Sequence, residues 1–301
     1  MLALQWVNDN IAYFGGDVTR ITVFGESSGA SSAGLHMMSS RSAHLFQRAI
    51  FESGSPDSHW AFMTSAQAQQ RSDVLLSSVG CQQQNSSSSA AVDADTLMTC
   101  LRALDAQTLL DNEWVDPHFL VFPWVPTIDG DTVVASPYDL VTSAAYEVKD
   151  TLLGVNSNEG SFWVLYGLPG FSKDNASLQD DAALAHGIET IAWDLTPAQR
   201  QRVSALYQAP SDVTTSQQRH AWNRDALSNV CGDRSFSSAT KRLAEELSKR
   251  HNSTFFYHLD YRASTEVWPD WMGVIHGAEI QVRALAGWCH KCNKSIDVVC
   301  R

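Results

Sequence analysis

The sequence predicts an α/β fold with a mostly parallel central sheet flanked by helices, on three observations. Short apolar runs at 21–24, 49–51, 151–155 and 253–259 read as strands, and the longer segments between them carry apolar residues at helical spacing. The first run ends in Gly25-Glu26-Ser27-Ser28-Gly29, a Gly-x-Ser-x-Gly bend followed at once by a helical pattern. The chain has 301 residues, 44% of them apolar, enough to bury a large core as one domain.

In chain order, Leu2, Leu4, Val7, Ile11 and Phe14 fall near helical spacing and stop at Gly15-Gly16. Residues 21–24 are apolar and β-branched, as a buried parallel strand should be. At the bend, Gly25 and Gly29 leave room for a strained turn that lifts the Ser27 hydroxyl clear of the sheet, with the Ser28 N–H facing a developing oxyanion. A Gly/Ser-rich turn without chemistry fits the same five residues. A helix over 30–38 follows, then the strand at 49–51 and Trp60, which a core would also use. Residues 66–79 are helical, and Cys81 and Cys100 enclose a Ser-rich stretch too polar to fold alone. Between 111 and 128 stand Trp114, Phe119, Leu120, Val121, Phe122 and Trp124, either core or the lining of a pocket.

The strand at 151–155 leads into Asn156-Ser157-Asn158-Glu159. Working residues in open parallel sheets sit past the carboxyl ends of strands, so Glu159 is either an acid or a solvated loop residue. Phe162, Trp163 and Tyr166 then share helical spacing. Residues 178–249 are mostly helical, with breaks near Gly187, Thr196 and Pro210-Ser211, and Cys231-Gly232-Asp233-Arg234 opens the last long helix over 235–249. After the strand at 253–259, His276 lies in a loop with Gly277 behind it. Hydrolases with this elbow run nucleophile, acid, base along the chain, which leaves only histidines beyond Glu159 as the base. The spacing of Cys289, His290, Cys292 and Cys300 fits no familiar zinc ligand set, so neither a metal nor another cofactor is expected.

The formal charge of −12 argues against a nucleic-acid groove and serves solubility or draws cationic ligands. No window is long and apolar enough to span a membrane, and the N-terminus lacks the basic-then-apolar pattern of an export signal. Six cysteines and the sequons at Asn85, Asn175, Asn252 and Asn293 nevertheless suit a secreted glycoprotein. The two signals agree if residue 1 is not the natural start.

Gly15-Gly16-Asp17 with residues 18–30 resembles the signature of the type-B carboxylesterases, the cholinesterases above all. Four later blocks are similar to that family in the same order: Phe51-Glu52-Ser53-Gly54-Ser55-Pro56, Val125-Pro126-Thr127-Ile128-Asp129-Gly130, Asn158-Glu159-Gly160-Ser161-Phe162 and Trp268-Pro269-Asp270-Trp271-Met272-Gly273-Val274-Ile275-His276-Gly277. The resemblance covers residues 1–280 and leaves 281–301 as a divergent Cys-containing tail. It implies an α/β-hydrolase fold, incomplete in this chain, with Ser27 as nucleophile, Glu159 as acid, His276 as base and Ser28 as an oxyanion donor. It implies that Ser53 helps orient the acid. Glu26, Trp60, Leu120, Phe122, Phe162, Trp163 and Tyr166 would form the substrate pocket, with Trp114 at a peripheral site.

The same likeness implies a Cys81–Cys100 disulfide, a partner for Cys231 beyond the end of the chain, and glycosylation at Asn85, Asn175 and Asn252. The expected substrate is a small ester with a cationic alcohol group, choline esters first and general carboxylesters second. An extracellular or cell-surface location and a homo-oligomeric full-length parent go with it, and no nucleic-acid partner. The loop with the family's oxyanion glycines and the main tryptophan of its choline pocket lie upstream of residue 1, so the chain alone is expected to be inactive or weakly active. The rival reading is a cholinesterase-like adhesion protein, which keeps the fold without catalysis; there the nucleophile or base is usually replaced, whereas Ser27, Glu159 and His276 all stand here.

Overall fold

A computed structural model describes residues 1–82, 93–116, 118–143 and 145–281, and the backbone of 298–299. Helix α1 (Leu2–Asn10) runs through a 3₁₀ turn to Gly15, and β1 (Thr22–Glu26) follows. Then come α2 (Ser28–Met38), β2 (Arg48–Glu52), α3 (Ser65–Ser78), α4 (Ala94–Ala103), α5 (Ala106–Asp111), α6 (Pro137–Ser143) and β3 (Asp150–Asn156). The remainder is α7 (Ser161–Gly167), α8 (Asp181–Ile191), α9 (Pro197–Leu206), α10 (Ser216–Gly232), α11 (Ser238–Ser248), β4 (Thr254–Leu259) and β5 (Val298–Val299).

The strands lie side by side in chain order. β1 to β4 are parallel, and β5 pairs antiparallel with β4. Parallel neighbours joined by helical crossovers put all their carboxyl ends on one edge. That edge carries Ser27 after β1, Ser53 after β2 and Glu159 after β3.

Local chemistry accounts for the helix starts. Thr64 with Gln67, Thr196 with Gln199 and Thr215 with Gln218 form capping boxes ahead of α3, α9 and α10, satisfying first-turn N–H groups that would otherwise lack partners. The main core gathers Met37 of α2, Val141 of α6 and Leu243 and Leu247 of α11 against Phe51 and Leu153 of the sheet. A second core joins α7, α8 and α10 through Val164, Ile188, Ile191, Leu227 and Val230. The Cys81–Cys100 disulfide ties the chain just past α3 to α4. Among the described residues no helix is long and apolar enough to cross a membrane.

Three expectations need correction. β1 is parallel but not buried: it is the edge strand of the described sheet, and Phe24 is 59% exposed. Gly187 does not break a helix; it lies inside α8, where a Cβ would come within 2.5 Å of Leu227 Cδ2, so the glycine allows close packing of α8 on α10. Cys231 and Gly232 end α10 rather than opening the next helix, and the chain runs on through a π turn, Asp233–Ser237, into α11.

Candidate active site

Ser27 stands between β1 and α2 at φ 57, ψ −117. An L-residue held there is strained by on the order of 1–3 kcal/mol, so the surroundings must hold it. They do: Ser27 N donates to Glu52 O at 2.8 Å, and Ser27 O accepts from Ser31 N at 3.1 Å. The approach of β1 to α2 requires glycine at 25, because a Cβ would lie 2.3 Å from the Gly29 carbonyl carbon. Ser28 begins α2, so its N–H belongs to the first turn, at the positive end of the helix dipole.

The loop that carries His276 is stitched to the end of β3. Asn158 bridges Ile275, Asn158 N donates to Val274 O and Val274 N to Asn158 Oδ1, each at 3.0 Å, and Asn156 Nδ2 donates to Ile275 O at 2.9 Å. Glu159 and His276, 117 residues apart, consequently meet: Nδ1 lies 2.7 Å from Glu159 Oε2. The other carboxylate oxygen accepts from Asn156 N at 2.7 Å, and Glu159 is only 2% exposed. A carboxylate on Nδ1 leaves Nε2 as the nitrogen that exchanges protons.

Nε2 does not reach the serine in this structure. It faces Glu26 Oε1 at 3.1 Å, with the charges opposed but without hydrogen-bond geometry, and no hydrogen bond joins it to Ser27. Burial acts to lower the His276 pKa, but the hydrogen bond and charge of Glu159, followed by the charges of Glu26 and Glu279, outweigh it and raise the imidazole above its ordinary value. Glu26 is pushed up to about 7, chiefly by burial; His276 opposes this, while Glu279, Glu159 and Glu52 reinforce it.

Ser53 does not touch the acid it was expected to orient. Its hydroxyl donates to Glu279 Oε1 at 3.2 Å, and Asn156 Nδ2 donates to the other oxygen of Glu279. Glu279 is buried, which raises its pKa. Sequence reasoning missed Glu279, Asn156 and Phe236, whose ring lies 4.3 Å from that of His276. The first two were visible as a carboxylate three residues past the histidine and an amide at a strand end. Their pairing, however, depends on the stitching just described.

The predicted pocket residues separate into groups. Trp60, Phe122 and Trp163 line a cavity of about 380 Å³ together with Ser27 and Ser28. Trp60 is fixed by a hydrogen bond from Nε1 to Ser235 O at 2.7 Å. Leu120, at φ +52, instead lines a second cavity of about 370 Å³ that shares Trp60 and Phe122 as its wall. Phe162 packs on Trp163, Tyr166 and Trp268, and Tyr166 and Trp114 are exposed. Asn175 and Asn252 are exposed, whereas Asn85 lies outside the described residues, as do Asn293, Cys289, Cys292 and Cys300. Cys231 is a free, buried thiol. Among the described residues no cluster of His, Cys, Asp and Glu could hold a metal.

Residues 1–288 match the model of the carboxylesterase family. The chain is 40% identical over 283 residues to the acetylcholinesterase of Bungarus fasciatus, an alignment covering 93% of this chain and 45% of the relative. It is 35% identical over 277 residues to the acetylcholinesterase of Myxine glutinosa, covering 91% of this chain and 78% of the relative. The chain thus spans about half the length of the first of these proteins. With nearly its whole length matched, the chain belongs to the carboxylesterase family.

Proposed function

We propose that the protein hydrolyses carboxylic esters, choline esters in particular, with Ser27 as nucleophile, His276 as general base and Glu159 as the acid that orients it. The observation that carries this reading is the 2.7 Å contact between Glu159 and His276 on the same sheet edge as the strained Ser27 elbow. The names of both relatives point to acetylcholine as the substrate class. An extracellular setting, a cationic alcohol group and self-association of the whole protein belong to the same proposal, and the exposed Asn175 and Asn252 suit glycosylation.

The reaction runs in two steps. Nε2 leaves Glu26 and takes the Ser27 proton as Oγ attacks the ester carbonyl. The carbonyl oxygen becomes an oxyanion beside the Ser28 N–H, and one such donor is worth about 2.7–4 kcal/mol to the transition state. The tetrahedral carbon then expels the alcohol, which receives the proton from Nε2. Water, deprotonated by Nε2, attacks the acyl-serine, and Ser27 recovers its proton as the acid departs. Glu159 stabilises the imidazolium in both halves without itself being protonated.

A fluorophosphonate probe tests the assignment. It should label the whole protein at Ser27 and leave Ser27→Ala unlabelled, with acetylthiocholine hydrolysis following the same pattern, whereas the chain alone should turn the ester over weakly or not at all. A folded whole protein that the probe does not modify would reject the esterase reading and favour an adhesion role.

A further inference from the structure

We propose that Arg71 is a positioning residue that sets acyl-group selectivity at Ser27 by pinning the loop that carries Phe122. This rests on the esterase reading and adds to it the element that fixes the size of the pocket. Phe122, Trp60 and Val125 line both the Ser27 cavity of about 380 Å³ and the cavity of about 370 Å³ behind it. The wall beside the nucleophile is therefore one layer of side chains with open space on either side. Trp60 is tethered through its indole to Ser235 O, so Phe122 is the part of that wall able to retreat.

The loop is anchored downstream, where Met63 N donates to Pro126 O and Ile128 N to Met63 O, each at 2.9 Å. Over 118–125 the backbone has less support, with Val121 N donating to His118 O at 3.2 Å and Leu120 strained at φ +52. Arg71 reaches this stretch from α3. Its Nη1 donates to Phe122 O at 2.7 Å and to Pro123 O at 3.2 Å, and its Nη2 lies 3.6 Å from Asp116 Oδ2. The Arg71 side chain is only 13% exposed, and Asp116 is itself held by His118 Nδ1 at 2.6 Å. Nη1 alone holds the two adjacent carbonyls by charge-assisted bonds, while Nη2, fixed in the same plane, faces Asp116, so the guanidinium ties both carbonyls to that carboxylate with less freedom than a flexible ammonium would have. Without them the carbonyls lose their donors, and Phe122 can move into the rear cavity, which enlarges the space for the acyl group.

The experiment compares the full chain with Arg71→Gln and Arg71→Lys. Hydrogen exchange of the 118–125 amides should accelerate at least about 10-fold in Arg71→Gln, while the Met63–Ile128 amides stay protected. Acylation of Ser27 by 4-nitrophenyl butyrate and 4-nitrophenyl acetate, followed by intact mass, should show the butyrate-to-acetate rate ratio rising about 10-fold in Arg71→Gln. Arg71→Lys should fall between. Unchanged exchange in a folded variant overturns the proposal, and so does an unchanged ratio when Ser27 is acylated. If neither the esters nor a fluorophosphonate modifies Ser27 in the whole protein, it is the esterase reading that fails, and the exchange data alone decide whether Arg71 pins the loop.

Discussion

His276 sits between two carboxylates, Glu159 on Nδ1 and Glu26 on the side of Nε2. The first contact fixes the tautomer, and Glu159→Gln, which keeps the size but not the charge, should lower kcat by about 10⁴-fold in an acetylthiocholine assay. The second opposes catalysis near and above pH 7, where Glu26 is ionised and its charge favours the imidazolium. Glu26→Gln removes that support, so the acid limb of the kcat/KM profile should move to lower pH. Stability offers a separate check on the same residue. The folded pKa of Glu26, about 7, lies above the ordinary 4.5, so the fold prefers the protonated carboxyl. That contribution is full below 4.5 and is lost as pH rises through about 7. The urea midpoint should accordingly decline less between those pH values in Glu26→Gln than in the parent chain. The bend at Ser27 was legible in the sequence from its Gly-x-Ser-x-Gly motif, whereas chain order left several histidines open and His276 was singled out by the block it shares with the carboxylesterases. The Glu26–His276 contact and the Ser53–Glu279 bond were not legible, since they depend on rotamers meeting across more than 200 residues.

At the scale of elements, the β1–α2 elbow works only while strand and helix nearly touch. Gly25→Ala places a methyl against the Gly29 backbone and cannot be relieved by a rotamer change. We expect a loss of about 1–3 kcal/mol, read as a drop in Tm, and loss of fluorophosphonate labelling at Ser27, since relief of the clash must turn that residue. The four parallel strands were readable from short apolar runs, and the break near Thr196 falls at the cap of α9. The π turn at Asp233–Ser237 was not readable: no residue type marks it, and its role is to bring Phe236 against His276 and to hold Trp60 through Ser235. Gly187 misled because a glycine admitted for close helix packing looks, in sequence, like one that ends a helix.

Considered as a whole, this chain sets a large negative charge against exposed apolar residues near its first strand. Leu2 and Trp6 of α1, Tyr13 and Phe14 of the 3₁₀ turn, and Phe24 of the edge strand β1 are all exposed in the first 24 residues, and the rings of Trp6 and Phe14 meet at 6.0 Å. Contiguous apolar surface beside a strand edge favours association between copies. The formal charge of −12 opposes it by mutual repulsion. Repulsion between exposed charges is screened within about 3 Å at 1 M salt, against about 30 Å at 0.01 M, whereas apolar contact is not weakened by screening. Sedimentation velocity should therefore show the protein shifting toward larger species as salt rises from about 0.01 M to about 1 M. Replacing Trp6 and Phe14 together by Gln should reduce that shift without altering fluorophosphonate labelling, because neither residue lines the Ser27 cavity. If instead association weakened as salt rose, the contacts between copies would be ionic, and the exposed apolar residues near β1 would have no part in them.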